Sequence, residues 1–271
     1  MKKIAGFVPF VFAAVFLVAC GDDDSGFISR PDGKESSSSV APKSSNSETS
    51  ESSSSFPEGY VDPSTVVTGT MTDERDGQTY RTTKIGDQVW MAENLNYEVA
   101  NSLCVLNNDS NCTKYGRLYA WGTAMDSAGV LSANGFRCGR EMTCSPTYPV
   151  RGVCPEGWHL PDSTEWETLF TAVGGRTTAG LVLKSPSGWN DYEGGDNGSD
   201  AYAFSALPAG LTHNGVFGEE GKEAYFWSST EADSTFAHGI CMYNGHGEVS
   251  FGYGFALGDK YYRYSVRCVK D

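Results

Sequence analysis

The sequence predicts an α+β domain of short antiparallel strands, one or two helices, glycine-rich loops and disulfides. Three observations predict it: short runs of β-branched and aromatic residues between turn residues, one segment of helical periodicity, and a content of 8 cysteines and 32 glycines. A hydrophobic content of 39% is enough for a packed core. The net charge of −14 argues against nucleic acid as a partner, because nucleic-acid binding requires basic patches.

The strands are predicted from turn chemistry and from the residues between the turns. A three-stranded meander is expected within residues 69–97, where Asp76-Gly77 and Gly86-Asp87 supply turn residues. Its strands are predicted at 70–72, 79–84 and 88–91. A strong hairpin signal, Asn244-Gly245, lies among the later predicted strands. These cover residues 202–207, 225–229, 235–243, 248–253 and 262–269.

The clearest helix signal follows Pro161. Asp162 is a suitable N-cap, and Glu165 stands three residues later, as in a capping box. Apolar residues then recur at helical spacing, at positions 166, 169, 170 and 173. Gly174-Gly175 ends the run. A second short helix, rather than a strand, is predicted at residues 117–125.

The N-terminus is predicted to be a signal peptide spanning residues 1–19. Lys2 and Lys3 precede an apolar run at 4–18, which is short for a membrane span of about 20 residues. Residues 17–20, LVAC, resemble the lipobox of bacterial lipoproteins. That resemblance implies that Cys20 carries lipid and becomes the mature N-terminus, so the membrane is the first expected partner.

A tether is predicted at residues 20–58, followed by one domain at residues 59–271. Twelve of the twenty residues at 36–55 are serine, so this stretch cannot offset its chain entropy by burial. Its expected reach is about 35 Å. The predicted location is the outer membrane. The acidic residues 22–24 are either a surface-export signal or a solvated charge run, so both the cell surface and a periplasm-facing position stay open.

Seven cysteines remain for disulfides once Cys20 is assigned to lipid, and an exported protein is expected to form them. Two pairs are close enough in sequence to close their own loops, and a third pair then ties the helix region to the last strand. The predicted pairs are Cys104–Cys112, Cys138–Cys144 and Cys154–Cys268. Cys241 is left over and is predicted to be a buried free thiol. His238 stands three residues away, on the opposite face of a strand, so a metal site there is not expected.

One loop offers oxygen ligands for calcium, although it lacks EF-hand spacing. Its candidate ligands are Asp191, Asp196, Asn197 and Asp200. No cofactor is required by the sequence, and calcium is the one considered. No nucleophile elbow accompanies the four histidines, and the paired carboxylates have structural explanations, so an enzyme is not predicted.

Seven segments of the domain, in order, resemble the Fibrobacter succinogenes major paralogous domain. They read DGQTY at 76–80, IGDQVWMAENL at 85–95, YGRLYAW at 115–121, CPEGWHLP at 154–161, FSALPAG at 204–210, FWSST at 226–230 and SVRCV at 265–269. The resemblance runs from about residue 69 to residue 271. This family has no established activity, so the resemblance implies a domain type and no mechanism.

More distantly, the landmarks at 160–167 and 266–268 are similar to those of C-type-lectin-like domains and formylglycine-generating enzymes. This similarity implies a C-type-lectin-like fold. The leading functional hypothesis is a binding or adhesion module for polysaccharide or another envelope component, with Trp189 and Tyr192 as the residues that meet the ligand. The alternatives are a structural envelope component without a small ligand and, third, a formylglycine-generating-like or other enzyme.

Overall fold

The computed structural model describes residues 57–193, 197–252 and 256–271. The predicted signal peptide, Cys20 and nearly all of the predicted tether lie outside these residues, as does Asp196 of the predicted calcium loop. Within the described part of the chain, no helix combines the length and the apolar character needed to cross a bilayer.

The described chain consists mostly of β-strands with a few short helices, an α+β composition. The strands are β1 (Val67–Thr72), β2 (Thr79–Ile85), β3 (Gln88–Met91), β4 (Leu103–Cys104), β5 (Arg117–Ala120), β6 (Trp158–His159), β7 (Leu211–His213), β8 (Val216–Gly218), β9 (Glu223–Glu231), β10 (Phe236–Tyr243), β11 (Val249–Phe251), β12 (Leu257–Asp259), β13 (Arg263–Tyr264) and β14 (Val269–Lys270). The α-helices are α1 (Asp109–Tyr115), α2 (Trp121–Ala124), α3 (Ser163–Ala172) and α4 (Arg176–Leu183), and short 3-10 helices cover Pro63–Thr65 and Val105–Asn107.

The described strands form three sheets. The first has the order β1-β2-β3-β14-β6, so the C-terminal strand lies between β3 and β6. The second is centred on β10, which pairs with β9, β11 and β12. The third has the order β4-β5-β13-β7-β8. Because β13 and β14 belong to different sheets, the last residues of the chain join two of the sheets.

The predicted meander is confirmed. β1 pairs antiparallel with β2, and β2 pairs with β3 across the turn at Gly86, whose φ of 61° suits glycine. Along β2, Tyr80 and Thr82 are buried on one face, and Thr83 and Ile85 are buried on the other.

The predicted capping box of α3 is confirmed as well. The Asp162 carboxylate accepts a hydrogen bond from the Glu165 backbone N–H at 2.9 Å, and the Glu165 carboxylate accepts one from the Asp162 N–H at 2.9 Å. The buried face of α3 carries Trp166, Leu169 and Phe170. Gly175 has a φ of 98° and ends this helix, but α4 follows directly, and the sequence did not predict it.

One strand prediction is wrong, and a second strand prediction and one helix prediction are wrong in part. Residues 202–207 form no strand, because Ala203 and Ser205 adopt positive φ angles of 52° and 54°. The predicted strand at 262–269 is divided into β13 and β14. The predicted helix at 117–125 begins as β5 and becomes helical only at α2.

The predicted disulfides Cys104–Cys112, Cys138–Cys144 and Cys154–Cys268 are present. The third has a sequence separation of 114 and joins the segments before β6 and β14. In the chain-entropy model, a closure of this length stabilises the fold by roughly 4 to 5 kcal/mol.

The prediction of a free thiol at Cys241 is wrong. Cys241 is fully buried in β10 and is disulfide-bonded. None of the three disulfides that join two described cysteines includes it. That prediction came from setting Cys20 aside for lipid, which leaves an odd number of seven cysteines.

Candidate functional site

A long irregular loop, residues 125–157, connects α2 to β6 and contains no helix or strand. Ordered loops longer than about 15 residues without regular structure are uncommon and are often functional. Its backbone is held by turn-type backbone hydrogen bonds and, in addition, by side chains.

Asp126 organises the first part of this loop. The residue is 7% exposed and has a φ of 54°, a backbone conformation that aspartate tolerates better than most residues. Its carboxylate accepts hydrogen bonds from the backbone N–H groups of Val130, Leu131 and Ser132, at 3.1, 2.6 and 2.7 Å. A single buried carboxylate therefore fixes the turn at 126–132.

Lys260 and a disulfide hold the second part of the loop, around Cys138–Cys144. The Lys260 ammonium is buried and lies 4.5 Å from the centre of the Trp121 ring. It forms an ion pair with Glu231 and donates a hydrogen bond to the Gly139 carbonyl at 3.3 Å. The other carboxylate oxygen of Glu231 accepts a hydrogen bond from the Cys144 N–H at 3.0 Å. The loop is thus fastened to β9 and to the residues after β12.

A cleft of about 660 Å³ lies between this loop and the rest of the domain. Its volume falls within the range of about 300 to 1,000 Å³ that is usual for small-ligand sites. One wall is the segment 97–101, and a second is formed by α2 and residues 126–131. The lining also includes Ala120, Arg140, Val153, Lys260 and Tyr261.

Exposed apolar groups stand at the rim of this cleft. Tyr261 is 52% exposed and Val130 is 79% exposed. The Arg140 guanidinium lies 4.4 Å from the centre of the Tyr261 ring and donates from Nε to Asp259 at 3.2 Å. Asp259 also accepts a hydrogen bond from the Tyr261 N–H at 3.0 Å. The aromatic ring is therefore presented to solvent in a defined orientation.

A second cavity, of about 770 Å³, shares Tyr97 with the cleft. The Arg75 guanidinium lies 3.7 Å from the centre of the Tyr97 ring and is paired with buried Asp73. Most of the second cavity's lining is polar, and its charged residues are Asp76, Glu98, Asp109 and Arg117. The two cavities therefore share Tyr97 but differ in the chemistry of their linings.

The structure separates the two residues predicted to meet a ligand. Trp189 is only 6% exposed, and its indole Nε1 donates to the Ser185 hydroxyl at 3.2 Å, so it belongs to the core. Tyr192 is 51% exposed, with its ring 5.4 Å from that of His246. Trp189 was predicted from its polar neighbours, yet the buried Lys184 ammonium covers its ring at 5.0 Å.

Three of the four predicted calcium ligands, Asp191, Asn197 and Asp200, lie within the described residues. Within the described ranges, no group of three or more His, Cys, Asp or Glu side chains is arranged to hold a metal. Both carboxylate oxygens of Asp200 accept hydrogen bonds from Ser205, from its N–H and its hydroxyl. Asp191 is exposed and Asn197 half-buried, and Asp196 lies outside the described residues.

His159 lies between two carboxylates at the end of the first sheet. Its Nδ1 is 2.6 Å from Asp271 and its Nε2 is 2.7 Å from Glu165. Burial lowers the pKa of His159, but the hydrogen bonds to Glu165 and Asp271 outweigh burial and raise the pKa above its usual value. This cluster ties the chain's last residue to the start of α3.

A family model described as the Fibrobacter succinogenes major domain matches residues 83–270, well over half of the chain. The chain belongs to this family. No curated protein and no solved structure gives a significant match. The seven segments that resemble this family therefore have known positions in the structure of this Fibrobacter succinogenes major domain.

Arg267, from the SVRCV segment, lies at the centre of this domain and is fully buried. Its Nε donates to the Asn94 side chain at 2.7 Å, and Nη2 donates to the Ser205 carbonyl at 3.0 Å. Nη1 donates to the carbonyls of Met91 and Phe204. Burial lowers the pKa of Arg267 to about 9. Three of the family segments therefore meet at one guanidinium, which has a structural role.

Sequence reasoning missed the residues that shape the cleft, Asp126, Arg140 and Tyr261. None lies in a recognisable motif. One usable signal was the long stretch of sequence between α2 and β6, which contains two cysteines close together, Cys138 and Cys144.

Proposed function

We propose that this protein is an envelope-anchored binding module whose cleft holds part of a polysaccharide. The observation that carries the proposal is the cleft itself, a space of about 660 Å³ whose irregular wall is fixed by Asp126, Lys260 and a disulfide. A preorganised wall favours binding because less conformational freedom is lost when the ligand binds.

The chemistry of the rim supports a saccharide. A sugar ring has an apolar face of C–H groups and an edge of hydroxyls, and it therefore needs an aromatic surface beside hydrogen-bonding groups. Tyr261 presents such a surface, half-exposed and held by Arg140. Asn101, Thr123 and Ser127 add neutral polar side chains to the lining.

Two tyrosines of equal exposure provide a matched test. Tyr261→Ala removes the aromatic ring at the cleft, and Tyr192→Ala removes the ring that the sequence favoured; the two residues are 52% and 51% exposed. We expect wild type and the Tyr192 variant to bind the same members of a glycan array and the same insoluble polysaccharides. The Tyr261 variant should lose at least about tenfold in affinity.

The reverse result, loss of binding with Tyr192→Ala alone, would move the site to the surface formed by Tyr192, Tyr243 and His246. No retention of wild type on any glycan or polysaccharide would reject carbohydrate binding altogether. Circular dichroism of both variants checks that each is folded.

The anchoring part of the proposal places lipid on Cys20 and the protein in the outer membrane. It is supported by the lipobox-like residues 17–20 and by the serine-rich stretch that follows. We expect mass spectrometry of the mature N-terminal peptide to find diacylglycerol on Cys20, and Cys20→Ser to abolish detergent-phase partitioning. Recovery of Cys20 unmodified or in a disulfide would contradict lipidation. Protease treatment of intact cells then separates surface display from a periplasm-facing position.

The fold part of the proposal is a C-type-lectin-like arrangement. It is supported by α3 following Leu160-Pro161, and by the disulfide that joins Cys154 to Cys268 in the last strand region. The placement of β14 between β3 and β6, which brings the two ends of the domain together, also agrees with it. An experimental structure compared with lectin-like domains tests this assignment directly.

A further inference from the structure

We infer that the cleft selects uncharged glycans and discriminates against acidic ones such as uronate polymers. This inference rests on the proposed function and specifies its ligand class. It follows from the state of the three charged side chains that line the cleft, Asp126, Arg140 and Lys260.

Each of these three side chains already has hydrogen-bonding or ion-pair partners within the protein. The Asp126 carboxylate accepts three backbone N–H groups. The Lys260 ammonium is buried and paired with Glu231. Arg140 forms ion pairs with both Asp259 and Glu141, while its flat face lies against Tyr261. A ligand carboxylate would therefore have to compete with existing partners for any cation in the cleft.

Long-range electrostatics also disfavour the binding of acidic glycans. The two cations lining the cleft are accompanied by four carboxylates within hydrogen-bond or ion-pair reach of the lining, those of Asp126, Glu141, Glu231 and Asp259. The whole chain carries a net charge of −14, which repels polyanions at low ionic strength. An uncharged sugar meets neither penalty and can use the hydroxyl and amide groups of the lining.

The test compares paired oligosaccharides that differ only at C6. Hexamers of glucose, mannose and galactose are each titrated calorimetrically against the protein. Each is compared with its uronate counterpart, in which every C6 hydroxymethyl group is oxidised to a carboxylate. For the backbone that binds, we expect the neutral member to bind at least about tenfold more tightly than its uronate.

A charge-removing variant then tests the cause of this selectivity. Asp259→Asn keeps an oxygen that accepts from Arg140 Nε and the Tyr261 N–H, but removes the negative charge that neutralises Arg140. Asp87→Asn makes the same change in net charge at an exposed turn between β2 and β3, and Asp87 does not line the cleft. Only Asp259→Asn should reduce the ratio of the affinity for the neutral ligand to the affinity for its uronate. The expected reduction is about threefold or more at low salt.

The outcomes separate this inference from the proposed function. If a uronate hexamer binds wild type as tightly as its neutral partner, selectivity for uncharged glycans is wrong while carbohydrate binding stands. If Asp259→Asn and Asp87→Asn change this affinity ratio equally, charge matching in the cleft is not its cause and the inference is overturned. If no hexamer binds, both proposals fail.

Discussion

The centre of the domain around Arg267 and the wall of the cleft around Asp126 use buried charge in opposite ways. Arg267 donates to side-chain and backbone oxygens from distant segments and draws them into one core. Asp126 accepts from three nearby N–H groups and holds an irregular loop at the surface. The first charge closes the interior, whereas the second holds a loop in which Val130 stays exposed at the rim of the cleft.

This difference shows what a family resemblance can and cannot identify. Arg267, Asn94 and Phe204 all lie within the segments by which the family is recognised. Asp126 and Tyr261 lie between those segments. The first three residues therefore lie in the core, whereas the proposed ligand contacts lie in loops between the segments, and both sets fall within the matched residues 83–270.

The largest expected effect comes from breaking the centre. Arg267→Met keeps an apolar stem of similar length but leaves the oxygens of Asn94, Met91, Phe204 and Ser205 buried without their donor. We expect a loss of about 3 to 5 kcal/mol in the free energy of unfolding, measured by urea titration.

The matched control for this change is Arg263→Met, in the neighbouring strand. Arg263 is only half-buried and makes one hydrogen bond from Nε, to the Asn101 carbonyl at 3.2 Å. Its loss should cost less than about 1 kcal/mol. Equal unfolding midpoints for the two variants would show that Arg267 does not organise the core.

The next largest effect is expected from removing either of two small disulfide loops, one beside the cleft and one away from residues 126–144. Cys138–Cys144 and Cys104–Cys112 have sequence separations of 6 and 8, so removing either pair by double serine substitution should cost a similar amount, about 2 to 3 kcal/mol. Hydrogen exchange should differ, however. Only the Cys138/Cys144 variant should show faster exchange at residues 126–144, and faster exchange there in both variants would mean that the loop is not held locally.

A smaller effect is expected from the loop carboxylate. Asp126→Asn tolerates the same backbone angles but loses the charge that strengthens three hydrogen bonds, with an expected cost of about 1 to 2 kcal/mol. Amide exchange at residues 130–132 should quicken and affinity at the cleft should fall. Asp233→Asn, which weakens a cap on Thr235 and Phe236 in the turn between β9 and β10, is the control and should leave those amides unchanged.

The sequence predicted those parts of the fold that depend on neighbouring residues. The meander and the capping box of α3 were found because their turn and cap residues stand within a few positions of each other. Residues 202–207 were misassigned as a strand because their backbone is held by Arg267, more than 60 positions away. No local pattern reveals such a partner.

The candidate site was harder to predict for the same reason. The cleft combines residues 97–101, 126–131, 140 and 260–261, which are brought together only by the fold. Trp189 was chosen because polar residues surround it in sequence, but the buried Lys184 ammonium lies against its ring and Ser185 binds its indole. Local polarity did not indicate exposure in this case.

The smallest expected effect is a pH dependence of stability that comes from His159 and its partners Glu165 and Asp271. These residues hold the fold together and do not line the cleft. Because the hydrogen bonds to Glu165 and Asp271 raise the pKa of His159 in the folded state, its protonated form stabilises the fold. That contribution is fully present below the unfolded-state value of about 6.5 and is lost as pH rises through the folded pKa. His159→Gln should flatten the dependence of the unfolding free energy on pH above about 6.5, while Asp126→Asn should leave its slope there unchanged. A wild-type protein whose stability is constant from about pH 6 to 9 would contradict a charged histidine between these carboxylates.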